Sequence, residues 1–284
     1  MPNSNPKITS PVTTADGTRL FTKDWGQGPA LVLTHGWPVN ADMWDYHAHF
    51  LVDNGFRTIS YDKRGFGRSD KPESGYDYDT LAADLAAVID ATGEKTVTLV
   101  AYSMAGGEII RYLSRYGADK VNKIILIGTI VPGLLQSDDN PNGIPGVEFD
   151  NIKAGLNQDR ATFIAALFRD ILYDVENDNT IPVTDAVLRW SENMSHQASF
   201  KALLDCVDTF GRGSLRGEME AVTVPTLVIH GTNDKPVPHT ITAQDAAERI
   251  ANVTLKLYNN ASHGIVYTER DRVAEDILAF IRQS

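Results

Sequence analysis

Three residues of this 284-residue chain, a serine, an aspartate and a histidine, each follow an apolar run and stand in a turn of small residues. Ser103 lies in Val97-Thr-Leu-Val-Ala-Tyr-Ser-Met-Ala-Gly-Gly, Asp234 after Thr226-Leu-Val-Ile-His-Gly-Thr-Asn, and His263 after Thr254-Leu-Lys-Leu-Tyr-Asn-Asn-Ala-Ser. A serine hydroxyl is a weak nucleophile at neutral pH, and it attacks a carbonyl when an imidazole takes its proton and a carboxylate orients that imidazole. These residue types therefore point to acyl transfer. Taken singly, Ser103 reads as a helix-capping serine, Asp234 as a turn former and His263 as a loop histidine. Taken together, each directly after an expected strand, they read as one site.

A nucleophilic serine on a sharp strand-to-helix turn needs small neighbours two residues before and two after it, in the pattern Gly-x-Ser-x-Gly. Here Ala101 and Ala105 occupy those places, one methyl group larger each, and Gly106 and Gly107 follow at once. Acyl transfer also needs donors for a developing oxyanion. The backbone N–H of Met104, just after the serine, supplies one. The second is expected from Trp37 in His35-Gly-Trp-Pro, since Pro38 has no N–H and holds the residue before it extended. The loop after residues 121–127 offers only Gly128 and Thr129, so Asp234 has no rival as the acid.

The elements that carry these turns alternate between strand and helix. Apolar runs at 30–34 and 97–102, with further strand-like runs at 56–61, 121–127, 225–230 and 253–257, read as strands of a mainly parallel sheet. Helical spacing is found over 41–54, 78–92, the stretch after Ser103, 241–250 and 269–282. Runs 8–14 and 20–25, joined by Ala-Asp-Gly, suggest an antiparallel hairpin at the sheet edge. Between 133 and 222 the pattern changes to helices alone, at 147–156, 160–173, 184–194 and 200–209. The expected architecture is α/β, a mostly parallel central sheet with helices on both faces and a helical cap insertion. Its parts are a core from 1–132, a cap from 133–222 and a second piece of core from 223–284. The cap would cover the carboxyl ends of the strands.

Composition narrows the partners. With 37 acidic against 26 basic residues, a net charge of −11, neither nucleic acid nor an anionic membrane is expected, because both are bound by clustered Lys and Arg. A single cysteine, Cys206, excludes an internal disulfide and suits a reducing compartment. Residues 1–11 hold no apolar leader, and no run approaches the roughly eighteen apolar residues of a membrane span. A cytoplasmic enzyme is expected, and a homo-oligomer is compatible with this. No cofactor is expected. Gly65-x-Gly67 lacks the third glycine of a dinucleotide loop, His47 and His49 point apart on a helix, and His35 and His230 read as structural strand-end residues.

The order Ser, Asp, His along the chain is that of the α/β-hydrolases. His35-Gly-Trp-Pro, Tyr61-Asp-Lys-Arg-Gly-Phe-Gly-Arg-Ser-Asp, Tyr76-Asp-Tyr-Asp-Thr-Leu-Ala-Ala-Asp-Leu, Ser103-Met-Ala-Gly-Gly-Glu, His230-Gly-Thr-Asn-Asp and Ser262-His-Gly together resemble the cofactor-free haloperoxidase and aryl-esterase branch of that superfamily. The resemblance spans nearly all the chain outside the cap. It implies the α/β-hydrolase fold, Ser103, Asp234 and His263 as catalytic triad, and the amides of Trp37 and Met104 as oxyanion hole. It also implies that hydrogen peroxide can replace water in deacylation, giving a peracid that oxidises halide without metal or haem.

The expected substrate is a small carboxylic ester held by Trp37, Phe163, Leu167, Phe168, Val237 and Ile265. Acidic stretches around Asp138, Asp139 and residues 174–178 point to poor use of anionic esters. A lactone, an amide or a carbon–carbon bond could be cleaved by the same machinery. A slow-turnover ligand binder is the alternative of another class. Asp-nucleophile dehalogenases and epoxide hydrolases are disfavoured, because position 103 is serine.

Overall fold

The computed structural model describes residues 7–8, 10–177 and 179–283. Most of segment 1–11, where no leader is expected, and Asp178 of the acidic stretch lie outside them. Seven strands form one sheet in the order β3 (Thr22–Gly26), β5 (Arg57–Tyr61), β4 (Ala30–Thr34), β6 (Val97–Tyr102), β7 (Val121–Ile127), β8 (Thr226–Gly231), β9 (Val253–Tyr258). β3 runs antiparallel to β5, and every other pair is parallel. β4, β5, β6 and β8 are buried along their whole length, β4 and β6 mostly apolar and β5 with Arg57, Thr58 and Ser60 buried among its neighbours.

Register decides where the loops emerge. Thr34 stands opposite Ala101, Tyr102 opposite Ile127, Ile127 opposite Ile229 and Gly231 opposite Tyr258. The carboxyl ends of β4, β6, β8 and β9 are therefore level, and their loops share one edge of the sheet.

The expected hairpin is split. β1 (Val12–Thr13) and β2 (Arg19–Leu20) pair as a separate two-stranded ribbon, while β3, the second half of the same apolar run, joins the main sheet as its edge. Pro11 lacks a ladder donor, and the Ile8 amide donates instead to the Asp24 carboxylate at 2.8 Å, so pairing starts only at Val12.

Helices fall where capping and periodicity place them. Asp77 accepts from the Thr80 amide at 2.9 Å to start α2 (Tyr78–Ala91), whose Leu81, Leu85, Val88 and Ile89 are buried. The other helices of the core are α1 (Asp45–Asp53), α3 (Ala105–Tyr116), α7 (Ala243–Arg249), α8 (Ile265–Thr268) and α9 (Arg270–Ile281). Between β7 and β8 lie α4 (Gly146–Ala166), α5 (Asp185–His196) and α6 (Phe200–Arg212). α4 breaks at Asp159 (φ −158°, ψ 94°), whose carboxylate accepts from the amides of Ala161 and Thr162 and so caps its second half. A π-helical turn, Leu167–Leu172, follows α4 directly.

The glycine-rich loop after β5 is internal scaffold. Asp62 accepts from the amides of Ala41 and Arg68, and Arg64 forks onto Asp84 with both bonds at 2.6 Å. Gly67 (φ +50°) runs so close to Asp62 that a Cβ would lie 2.3 Å from its carboxylate oxygen, which leaves no cradle for a phosphate. Deeper in, Lys63 and the Tyr61 hydroxyl both bond the fully buried Glu108 of α3. That links the β5 loop to the helix behind Ser103.

His47 of α1 is buried, and neither ring nitrogen has a partner among the described residues. Burial, reinforced by the nearby Arg270 charge, lowers its pKa from 6.5 to about 4, with Asp271 opposing. The folded value lies below the unfolded one, so this contribution to stability is complete above about pH 6.5 and drains as pH falls toward 4. At pH 5 the loss is about 2 kcal/mol. His47→Leu should therefore shrink the difference in unfolding free energy between pH 7 and pH 5 by about that amount in urea titrations. Identical pH dependence in both proteins would contradict it.

Candidate active site

Ser103 sits between β6 and α3 with φ +55°, the left-handed region that a side chain adopts only under constraint. Its own amide donates to the Ile127 carbonyl of β7 at 2.8 Å, which pins the turn to the sheet. Ala101 and Ala105 are fully buried beside it. The tight helix–strand approach falls instead to Gly106, where a Cβ would meet the Thr129 hydroxyl at 2.2 Å, and to Gly107, where one would meet the Tyr78 ring at 2.3 Å. With those two glycines in place, alanine at 101 and 105 leaves the sharp turn standing.

The structure brings Ser103, His263 and Asp234 into one hydrogen-bonded series, all buried. The Ser103 Oγ lies 3.0 Å from His263 Nε2, and His263 Nδ1 lies 2.7 Å from Asp234 Oδ2. An ionised carboxylate only accepts, so Nδ1 carries the ring proton and Nε2 is left to accept from the serine hydroxyl. Burial alone would raise the Asp234 pKa. The His263 charge, together with hydrogen bonds from His230 and His263, outweighs it and holds the carboxyl at about 2.

Asp234 is held from three sides. Its Oδ1 accepts from the Val237 amide at 2.9 Å, and its Oδ2 also lies 3.1 Å from His230 Nε2. Because that same nitrogen faces the Val237 carbonyl at 2.8 Å, a second pure acceptor, it carries the proton of a donor shared between the two. His230, expected only as a structural residue, thus bonds the carboxylate directly. His35 is structural in the plain sense: its Nε2 accepts from the Lys63 amide at 2.9 Å and its Nδ1 donates to the Gly36 carbonyl at 2.8 Å.

His263 is anchored by residues that sequence reasoning did not single out. The Tyr102 hydroxyl donates to the His263 carbonyl at 2.9 Å, and its ring lies 5.1 Å from the imidazole. From the helical segment, the Leu172 carbonyl accepts from the Gly264 amide at 2.6 Å, and the Tyr173 carbonyl from the Ser262 hydroxyl at 3.1 Å. Position 102, adjacent to the serine and tyrosine rather than a plain aromatic, was the one signal available for this.

Trp37 and Met104 flank Ser103 at the wall of the same cavity. The chain just before Trp37 passes against the serine, since a Cβ on Gly36 would lie 3.0 Å from the Ser103 Cβ. Among the described residues neither the Trp37 nor the Met104 amide donates to a protein acceptor. The Trp37–Pro38 bond is cis. The Trp37 indole donates to the Leu203 carbonyl of α6 at 3.2 Å and lies 5.5 Å from the Phe210 ring. One residue thereby joins the β4 loop to the helical segment.

Above Ser103 and His263 opens a cavity of about 510 Å³. Phe163, Leu167 and Val237 line it as expected, with Phe149, Ile152 and Phe210 as walls not anticipated. Two expected wall residues stand elsewhere. Phe168 faces a separate cavity of about 30 Å³ and stacks on Tyr173, since consecutive helical residues point about a quarter-turn apart. Ile265 lies one residue beyond Gly264, where α8 begins, and is wholly packed in the core. The acidic stretch is also less open than its composition suggests. Asp174 (φ +46°) accepts from Asn233 at 3.1 Å and pairs with Lys235 at 2.7 Å, and Lys235 lines the cavity.

Comparison with known proteins gives the same picture over almost the whole chain. The model of the alpha/beta hydrolase fold family matches residues 29–269. A non-heme chloroperoxidase of Streptomyces lividans is 37% identical over 275 residues, 95% of this chain and 99% of that protein. A bifunctional esterase/perhydrolase, DCH, of Acinetobacter calcoaceticus is 34% identical, covering 95% and 99%. The crystal structure of a bromoperoxidase from Bacillus anthracis superposes with a TM-score of 0.91 at 33% identity, over 98% of this chain and all of that one. The level strand ends, the serine on its constrained turn and the match in sequence along the chain agree: this protein belongs to the α/β-hydrolase family, in the branch of non-haem haloperoxidases and esterases, and is an enzyme of the hydrolase type.

Proposed function

We propose that the protein hydrolyses carboxylic esters through an acyl-enzyme on Ser103. The observation that carries this reading is the unbroken series Asp234–His263–Ser103, with contacts of 2.7 and 3.0 Å, at the foot of an apolar cavity. Ser103 Oγ attacks the ester carbonyl as His263 Nε2 takes its proton. Asp234 keeps the imidazole in the required tautomer and stabilises the imidazolium. The free amides of Trp37 and Met104 bond the oxyanion of the tetrahedral intermediate. His263 returns the proton to the departing alcohol, and water enters by the reverse sequence to release the acid. Residues 133–222 act as a cap on the core formed by 1–132 and 223–284, a division favoured by a cavity whose walls come from both.

Tests of this reading need both turnover and covalent labelling. A fluorophosphonate should add one equivalent to the protein, mapped by peptide mass spectrometry to Ser103, and p-nitrophenyl acetate should be turned over. Labelling at another residue, or none, would overturn the assignment.

A second activity on the same serine is favoured by the printed names of relatives, a chloroperoxidase and an esterase/perhydrolase. Hydrogen peroxide attacks the acyl carbonyl in place of water. One peroxide proton passes through His263 to the departing Ser103 oxygen, and a peracid leaves. The peracid then transfers its terminal hydroxyl oxygen with its proton to bromide, giving hypobromous acid and the parent carboxylate. Bromination of monochlorodimedone should therefore require peroxide and a carboxylic acid together, and should disappear in Ser103→Ala. Bromination that persists without the carboxylic acid would exclude this route.

A further inference from the structure

The walls of the cavity above Ser103 say what fills it. At about 30 Å³ per non-hydrogen atom in a liquid, a volume of about 510 Å³ takes roughly fifteen of them. An acetate of a small alcohol would leave more than half of that space to water, against side chains that gain nothing from hydrating it. Among the described residues the charged and amide side chains of the wall, Glu148, Asn151 and Lys235, are exposed, and the buried part of the wall beyond Ser103 and His263 is apolar. Leu134 from the loop after β7, Phe149, Ile152 and Phe163 from α4, and Phe210 from α6 are all apolar.

Beyond the site itself, the polar lining residues are Glu148, Asn151 and Lys235. They stand at the open side in contact with solvent, Glu148 beside the Asn151 side-chain amide at 3.3 Å and Lys235 beside Asp174 at 2.7 Å. A charge carried halfway along the substrate would be stripped of water with no partner. Resting on the ester-hydrolase reading above, we infer that the substrate is an uncharged ester with a bulky apolar half, of about fifteen non-hydrogen atoms in all, rather than a small ester. That half lies against α4 and α6, with the carbonyl at Ser103.

Two substrate series separate this from a preference for small esters: ethyl esters of straight-chain acids from acetate to decanoate, and acetates of straight-chain alcohols from ethanol to decanol, all below their aggregation limits. Each methylene moved from water to an apolar wall is worth about 0.8 kcal/mol, up to about fourfold in kcat/KM. In at least one series kcat/KM should climb about two- to fourfold per methylene up to the ten-carbon members, which nearly fill the cavity, by about a hundredfold or more in total. Ile152→Trp, which fills the wall of α4, should lower the ratio of the longest to the shortest ester by about tenfold or more. A folding defect would lower both rates and the melting temperature together, and leave that ratio unchanged.

Rates varying less than tenfold across both series, rates highest for ethyl acetate, or a ratio unmoved by Ile152→Trp in a folded protein would overturn the inference. The serine reading fails separately, if Ser103→Ala retains the wild-type rates. A wild type that prefers ethyl acetate while Ser103→Ala is inactive leaves the serine in place and removes the bulky substrate.

Discussion

Ser103→Ala is expected to lower kcat on p-nitrophenyl esters by about four to six orders of magnitude, the scale on which nucleophile removal acts when nucleophile, base and acid work as a unit. The residual rate should reflect only the oxyanion donors and the binding cavity, which still hold an ester for attack by water. Folding should be little affected. The lost hydroxyl has His263 as its hydrogen-bond partner, and the backbone at 103 stays in its left-handed conformation, pinned through the Ile127 carbonyl. A melting temperature within a few degrees of the wild type, with fluorophosphonate labelling abolished, is the expected combination. Turnover above a hundredth of the wild-type rate would show that another residue is the nucleophile.

How much of this was legible in the sequence follows from how local each signal is. The central strands could be read because a strand covered on both faces is mostly apolar, and β4 and β7, the latter through its buried half 124–127, fall at their expected bounds. The N-terminal run at 20–25 could not be divided, because one apolar alternation serves equally for a ribbon and a sheet edge. Pairing with Tyr61 and its neighbours, more than thirty positions away, decides between them. Of the site, Ser103, Asp234 and His263 were readable because Ser103 directly follows β6 while Asp234 and His263 stand on the loops leaving β8 and β9, and the parallel register brings strand ends together.

The walls obeyed a different logic. Leu167 and Phe168 are consecutive and apolar, and which of them faces the cavity depends on how that helical stretch packs over the core, which local sequence does not carry. Likewise nothing local marks Lys63 and Glu108 as partners. Two opposite charges 45 positions apart become a buried pair only once β5 and α3 are packed against each other. His230 was named as structural because a histidine closing a buried strand usually is. Its bond to Asp234 depends on the turn at 231–234 curling back over one strand end, which the spacing of four residues allows and does not dictate.

Asp234→Asn should cost about four orders of magnitude in kcat while leaving the side chain nearly isosteric. The carboxylate accepts three donors: the Val237 amide on Oδ1, and both His263 Nδ1 and His230 Nε2 on Oδ2. An asparagine has one acceptor oxygen and one NH₂, so it satisfies one side only. With its oxygen toward the imidazoles, the NH₂ group faces the Val237 N–H, and His263 keeps its tautomer but loses the negative charge that stabilises the imidazolium. With its oxygen toward Val237, the NH₂ group donates to His263 Nδ1 and drives the ring proton to Nε2, where it points at Ser103 and the base is gone. The first orientation weakens the general base and the second removes it, and both leave two donors face to face in a buried site. Steady-state kinetics on p-nitrophenyl esters, with the rate of fluorophosphonate labelling measured in parallel, test this. Both rates should fall together, since each needs the serine proton removed. A variant within tenfold of the wild type in either rate would mean that Asp234 anchors the loop and a different group orients His263.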